Sequence, residues 1–297
     1  MKKALVSGVT SFLGRELAAS LQADGIEVHA VVRPGSDLGL LRDLPRAPVL
    51  HVHDGGDAAL GALVAAAQPD TIFHLAGRYL RDHKPDDVEG LIRDNVQFGT
   101  QLLEAAQRAG CRRFVNTGSY VQFLDGDAFR PLNLYAAAKQ AFADIMAYYR
   151  DAGGLQTVTL IVFDTYGPRD RRPRLMNAIR DAQRHGTDLP LPKQDVTVDF
   201  VFGDDVIGAF RRAADLLATR PEGISGGTFA VTSGERRTIA EIVALFEEAG
   251  GKPVRVRRGE WPDAPRAVAA LWNGPVLPGW RPAVPLREGI RRLIGES

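Results

Sequence analysis

The sequence predicts an α/β fold, a Rossmann-type doubly wound parallel sheet with a smaller C-terminal substrate-binding cap. Three observations predict it. Short apolar runs of strand length alternate with helix-period segments through roughly the first 165 residues. The first strand ends in a turn with two glycines six positions apart, Gly8 and Gly14. From residue 164 onward Pro168, Pro173, Pro190 and Pro192 interrupt the alternation, so a second, less regular unit begins there.

The elements follow in order. Residues 3–8 are a short apolar run ending in glycine, and the periodic segment from Phe12 to Ala23 stops before Gly25, giving strand, turn and helix. Residues 26–32 and 48–53 make two further strands, with a helix over 57–67. The run 70–75 is apolar on both faces, as a strand covered on both sides must be. A long helix covers 87–109, a strand 112–118, a helix 134–152 and a strand 155–163. Beyond the prolines, 173–185 reads as a helix, 196–202 as an alternating strand, and 204–218 as a helix opened by Asp204 and Asp205, where acids favour an N-terminus. Residues 228–232 read as a returning strand, 238–249 and 285–295 as helices. The expected organisation is a dinucleotide-binding domain of 1–163 plus 196–221, and a cap of 164–195 plus 222–297, with some cap segments returning to the main domain.

Composition narrows the function. The chain has 297 residues, a formal net charge of +1 and one cysteine, Cys111. The small charge invites neither nucleic acid nor an anionic membrane. A lone cysteine makes no intramolecular disulfide and fits a reducing cytoplasm. The apolar start is broken at once by Ser7 and Gly8, so it reads as a first strand rather than a leader, and no run of about 18 apolar residues exists to span a bilayer. No metal-ligand pattern stands out.

The first turn, Gly8-Val-Thr10-Ser11-Phe12-Leu13-Gly14, fits a phosphate site. Gly8 permits a tight turn, Gly14 permits close strand–helix packing, and the helix start offers free N–H groups to a pyrophosphate. Ser11 stands where a middle glycine is usual, and its hydroxyl can donate. After the second strand comes Arg33-Pro-Gly-Ser36, with no acid until Asp37. An acid there would suit the ribose of NAD, whereas a guanidinium beside a hydroxyl suits a 2′-phosphate, so NADP is expected over NAD. Asp54, after the third strand, reads either as an acceptor for the adenine amino group or as a turn former beside Gly55 and Gly56.

Tyr135 and Lys139 lie four residues apart in Asn133-Leu-Tyr-Ala-Ala-Ala-Lys-Gln-Ala-Phe142, a run of helix formers with Asn133 as N-cap. That spacing stacks both side chains on one helix face. An ammonium beside a phenol lowers a pKa that otherwise lies near ~10, and such a phenol can exchange a proton with a carbonyl or alcohol oxygen. The pair also occurs by chance on surface helices, so its meaning depends on the rest of the chain.

Taken together, Gly8…Gly14, Phe73-His-Leu-Ala-Gly77, Asn95-Val-Gln-Phe-Gly-Thr100, Phe114-Val-Asn-Thr-Gly-Ser119, Tyr135…Lys139, Tyr166-Gly-Pro168, Asp199-Phe…Asp204-Asp-Val206 and Gly279-Trp-Arg-Pro resemble the extended short-chain dehydrogenase/reductase family. This is the NAD-dependent epimerase/dehydratase group acting on nucleotide sugars. Within it, Asn116-Thr-Gly-Ser, the Asn133–Phe142 run and Phe163-Asp-Thr-Tyr-Gly-Pro-Arg-Asp are most similar to the CDP-abequose/CDP-paratose synthase-like 4-ketoreductases.

The resemblance implies Tyr135 as general acid/base and Lys139 as the ribose-holding cation. It implies Ser119 as the hydroxyl on the reacting oxygen, with Thr117 as runner-up. Leu75, Ala76, Gly77 and Phe163 would line the cofactor, and Asn95 would support the site. Arg78, Tyr120, Asp164, Thr165 and Arg174 would face the substrate. Arg174 belongs to a cluster with Arg169, Arg171 and Arg172 that reads equally well as a solvated loop. The family's diphosphate arginine is Val198 here, and its Asn before Tyr-Gly-Pro is Asp164.

Dehydration needs a second acid and base; the family's dehydratases carry an Asp-Glu pair after the catalytic hydroxyl, whereas Tyr120-Val121 follow Ser119 here. Epimerisation of the galactose type goes with an acid after the second strand, where Arg33 stands. The expectation is NADPH-dependent reduction of the 4-keto group of a CDP- or dTDP-linked 4-keto-6-deoxyhexose. The alternatives are a nucleotide-sugar epimerase with bound NAD(P), a reductase of a non-sugar ketone and a non-catalytic NADP sensor. The resemblance also implies a homodimer through a four-helix interface built from the helices at 87–109 and 134–152.

Overall fold

The computed structural model describes residues 1–126, 128–260 and 266–295. The chain opens with β1 (Lys3–Ser7), α1 (Phe12–Ala23), β2 (Glu27–Val32), β3 (Val49–Val52), α2 (Asp57–Ala67) and β4 (Thr71–His74). Next come α3 (Val88–Ile92), a π turn (Arg93–Gln97) and α4 (Phe98–Arg108), which run on as one helix. They are followed by β5 (Arg113–Ser119), α5 (Leu134–Gly153) and β6 (Gln156–Val162). The later part holds β7 (Asp164–Tyr166), α6 (Leu175–His185), β8 (Asp188–Leu191), β9 (Thr197–Phe202) and α7 (Gly203–Thr219). It closes with β10 (Thr228–Val231), β11 (Arg236–Thr238), α8 (Ile239–Gly250), β12 (Arg255–Arg258) and α9 (Leu286–Gly295).

Seven parallel strands form the main sheet in the order β10-β6-β5-β4-β1-β2-β3. Strand order reverses at β1, which is flanked by β2 and β4, so a crevice opens beyond the carboxyl ends of β1 and β4. One face is covered by α1 and α7 through Leu17, Leu21, Val206 and Phe210. The other is covered by α2, α4 and α5 through Leu60, Leu102, Phe142 and Met146. Both faces are dry, which explains the continuous apolar strands. Helix α5 packs closely on α4 because a Cβ at Gly99 would lie 2.4 Å from the Phe142 ring. Its own start is fixed by Asn133, whose side-chain oxygen accepts from Ala136 N at 3.0 Å, and it ends at Gly154 with φ +67°.

A third core, from Met176, Ile179, Leu189, Phe200, Ile242, Phe246 and Ile290, joins α6, α8 and α9 to a three-stranded sheet, β11-β9-β7, and a two-stranded one, β12-β8. One strand therefore sits in a different sheet from the one the expected organisation gave it. β9, expected with the main domain, pairs with β7 and β11. β10, read from the sequence as a returning strand, lies at the edge of the main sheet beside β6. Pairing partners are a tertiary property that periodicity does not carry. The strands β7, β8, β11 and β12 were not expected at all: each has only three or four residues, β8 contains Pro190, and β12 reads Arg-Val-Arg-Arg. The C-terminal segment is anchored by buried Asp205, which accepts from Ala283 N at 2.8 Å and Val284 N at 3.0 Å, while Trp280 Nε1 donates to the Asp205 carbonyl.

Candidate active site

The glycine turn leaves no room for larger residues. Gly8 has φ +76°, and a Cβ there would lie 2.7 Å from Ala76 N. A Cβ at Gly14 would lie 2.1 Å from the Gly8 carbonyl oxygen. Ser11 caps α1 by accepting from Gly14 N at 3.0 Å, so its hydroxyl proton is free to point outward. The first-turn amides beside it have no carbonyl one turn earlier to bond. This backbone, bare of Cβ atoms at both close approaches, fits a pyrophosphate. Phe12 turns instead toward the cap, where its ring lies under the Arg172 guanidinium at 5.3 Å and against Gly167 and Gly203. Thr10 is half-buried, and Leu13 packs on the core.

At the end of β4, Leu75, Ala76 and Gly77 meet α5 and the π turn. A Cβ at Gly77 would lie 2.8 Å from Asn95 Oδ1 and 3.2 Å from Lys139 Nζ. Lys139 Nζ donates to the Ala76 carbonyl at 3.5 Å. Asn95, fully buried in the π turn, accepts from Arg78 N at 3.1 Å and donates to the carbonyls of Arg78 and Leu91. It holds the loop after β4 by its backbone.

β5 presents Thr117 and Ser119 on one face. Thr117 Oγ1 donates to the His74 carbonyl at 2.8 Å, whereas the Ser119 side chain lies close enough to the Tyr135 phenol to act on its pKa. Lys139 Nζ lies 5.8 Å from the centre of the Tyr135 ring. The expectation that Lys139 depresses the Tyr135 pKa does not hold in the protein alone. Burial pushes the phenol up to about 12, with Tyr79 adding to the rise, while Arg174 and the Ser119 side chain oppose it. Burial also pulls Lys139 down to about 8, which weakens it as a permanent cation. Desolvation is the largest cause of both shifts. At neutral pH the phenol is protonated, the form that donates.

The remaining expected residues divide. Phe163 is buried and stacks on Tyr120 with centroids 5.1 Å apart, and Tyr120 Oη donates to Asp164 Oδ2 at 2.7 Å. Burial raises both of these groups, Tyr120 well above its ordinary value. Arg174 lies over the Tyr79 ring at 4.7 Å, and Tyr79 stands edge-on against Tyr135. Tyr79 and Arg174 both act on the Tyr135 and Tyr120 phenols. Arg78 instead binds Asp87 at 2.8 Å, and Thr165 Oγ1 accepts from Arg172 at 2.8 Å. The arginine cluster is likewise partitioned: Arg169 forks onto buried Glu16 and Arg172 onto buried Asp170. Asp54 accepts from Gly56 N at 3.2 Å, the turn-forming option. Arg33 reaches Asp94 at 3.3 Å, and its N–H donates to Ser36 Oγ at 3.1 Å within the Arg33–Ser36 turn. Sequence reasoning missed Tyr79, because nothing in its spacing distinguishes it from an ordinary loop tyrosine.

Comparison with known proteins decides the family. The model of the NAD dependent epimerase/dehydratase family matches residues 4–225. The chain belongs to that family. It is 30% identical to a UDP-glucose 4-epimerase of Mycolicibacterium smegmatis, over 98% of this chain and 97% of that protein. It is 26% identical to a CDP-abequose synthase of Salmonella typhimurium, over 98% and 96%. In fold it matches the UDP-glucuronic acid 4-epimerase of Bacillus cereus solved with UDP-glucuronic acid and NAD, at a TM-score of 0.85 and 20% identity, over 99% and 98% of the two chains. As a member of the family the chain is an enzyme of its oxidoreductase and epimerase class. No helix among the described residues is long and apolar enough to cross a membrane.

Proposed function

We propose that this enzyme uses NADPH to reduce the 4-keto group of a nucleotide-linked 4-keto-6-deoxyhexose, CDP- or dTDP-linked. One observation carries the reading: the Ser119 hydroxyl and the Tyr135 phenol come together beside Gly77 and Lys139, and the phenol is protonated at neutral pH. Bound NADPH supplies a hydride to the carbonyl carbon. Tyr135 Oη gives its proton to the carbonyl oxygen as negative charge builds there, and Ser119 donates a hydrogen bond to the same oxygen. Lys139 holds the nicotinamide ribose and favours the phenolate left after proton transfer. Gly8, Ser11, Gly14 and the start of α1 hold the pyrophosphate, and Arg33 and Ser36 the 2′-phosphate. Tyr120 and Asp164 are committed to each other, so neither is free to remove water from the sugar. Tyr148 on α5 is 66% exposed, which suits the pairing of α4 and α5 with a second copy into a four-helix dimer interface.

The test is NADPH consumption with CDP- and dTDP-4-keto-6-deoxyhexoses, with the product identified by NMR. Stoichiometric formation of the 4-hydroxy sugar is expected. NADPH left unconsumed by all of them overturns the reading. A second reading, C4 epimerisation with retained cofactor, is favoured by the likeness to the mycobacterial epimerase. Conversion of UDP-glucose to UDP-galactose without net cofactor turnover would select it.

A further inference from the structure

The π turn at Arg93–Gln97 shifts the register of a helix that would otherwise run unbroken from α3 to α4. Such turns cost regular hydrogen bonding and concentrate where side chains must be re-aimed. Here two neighbouring residues are aimed at different parts of the cofactor crevice. Asn95 faces Arg78 and Gly77, at the end where the nicotinamide is placed. Asp94 faces the turn after β2, where Arg33 Nη1 meets its Oδ2 at 3.3 Å.

The pair is asymmetric. The Arg33 side chain is 76% exposed, whereas that of Asp94 is only 13% exposed and is also held through Oδ1 by Arg93 Nε at 3.2 Å. The acid is therefore the fixed member and the guanidinium the movable one. Among the described residues Arg33 is otherwise anchored only by its backbone: its N–H donates to Ser36 Oγ, and Ser36 N donates back to its carbonyl at 3.1 Å, closing a turn with Pro34 and Gly35 in the middle. An ion pair this exposed adds little to stability, so its standing effect is on what else Arg33 can bind.

We propose that Asp94 is a specificity-determining residue that competes with the 2′-phosphate of NADP(H) for the Arg33 guanidinium and so restrains the preference for NADPH over NADH. This rests on the dinucleotide site proposed above. A 2′-phosphate must share Arg33 with a fixed carboxylate and lie near that carboxylate's charge. NADH, with a 2′-hydroxyl, leaves the Arg33–Asp94 pair intact. The acid thus weakens NADPH binding selectively.

The experiment is calorimetric binding of NADPH and NADH to the purified full chain, with 2′,5′-ADP and 5′-ADP as fragments that report the phosphate alone. Removing the charge with Asp94→Asn releases the Arg33 guanidinium to the phosphate, and NADPH affinity is expected to rise about tenfold while NADH changes less than about twofold. Asp94→Ser, a smaller neutral side chain, is expected to act in the same direction should the amide disturb the π turn. In an Arg33→Met background the gain from Asp94→Asn is expected to shrink to less than about threefold, because the contested cation is gone. The proposal is overturned if Asp94→Asn leaves the NADPH:NADH affinity ratio within twofold of the parent, or if the full gain persists without Arg33. If neither dinucleotide binds the parent chain, the dinucleotide reading itself falls, an outcome distinct from binding that ignores Asp94.

Discussion

The Tyr79 ring stands edge-on against the Tyr135 ring, centroids 5.1 Å apart at 82°, with the Arg174 guanidinium on Tyr79 itself. Tyr79 comes from the loop after β4, which Asn133 of the α5 cap holds through the carbonyls of Leu80 and Arg81. Arg174 comes from the start of α6 in the third core. The contact therefore joins the sheet end, the phenol and the cap. An aromatic pair of this geometry is worth about 0.5–1.5 kcal/mol, close to one factor of ten in rate. Tyr79→Leu is expected to lower kcat about tenfold, while Tyr79→Phe, which keeps the ring, stays within about twofold of the parent. Combining Tyr79→Leu with Arg174→Met should give less than the sum of the two single effects. Additive losses, or a Leu variant with unchanged kcat, would show that the stack has no part in placing the phenol.

Tyr135→Phe removes the proton donor but leaves the cofactor groove. Its kcat is expected to fall roughly 10²–10⁴-fold with NADPH affinity nearly unchanged. The two β5 hydroxyls should separate in the same assay. Ser119→Ala is expected to cost roughly 10²-fold in kcat, and Thr117→Val far less, because Thr117 spends its hydroxyl on the His74 carbonyl. The reverse ranking would move the oxygen-binding role to Thr117.

His74 makes stability depend on acid. It is fully buried against Phe98, Phe114 and Phe142, its Nδ1 bonds the Ser7 hydroxyl at 2.8 Å, and burial lowers its pKa to about 3. The unfolded chain takes up that proton near pH 6.5 and the folded one does not, so stability falls as pH drops from about 6.5 toward 3, at up to ~1.4 kcal/mol per pH unit. Urea melts of His74→Gln and the parent between pH 7 and 5 measure this. The variant, less stable at pH 7, should show the shallower decline. Parallel curves would mean that His74 does not supply the acid sensitivity.

Asp205 tests the anchoring of the C-terminal segment. Asp205→Ala strands the Ala283 and Val284 amides and is expected to cost about 2–3 kcal/mol in urea denaturation. Asp205→Asn keeps one acceptor oxygen and should recover about half of that loss. A variant within ~0.5 kcal/mol of the parent would mean that water replaces the carboxylate at no cost.

The long elements were legible because they are built on local rules. Helix α2 spans the expected 57–67, and α5 the expected segment plus one residue, since caps and apolar spacing are written in neighbouring positions. The glycine turn was legible for a similar reason: only residues without Cβ pass at Gly8 and Gly14. The Tyr135–Lys139 pair was found by spacing, but its electrostatics were not. Spacing shows that two groups share a helix face and says nothing of the solvent they lose, and here desolvation reversed the expected shift.

By itself the sequence determined the alternation of strands and helices, the cofactor-type turn and the side chains available for proton transfer, because each depends on residues close together in the chain. Tertiary structure alone decided the sheet that each late strand joins, the face of Ser119 that Tyr135 meets, and the capture of Arg169 and Arg172 by Glu16 and Asp170. It also brought Tyr79 to the phenol and Asp94 to Arg33. Those outcomes are contacts across dozens of residues, set by which surfaces exclude water together when the sheet and its cap pack, and no local pattern encodes them.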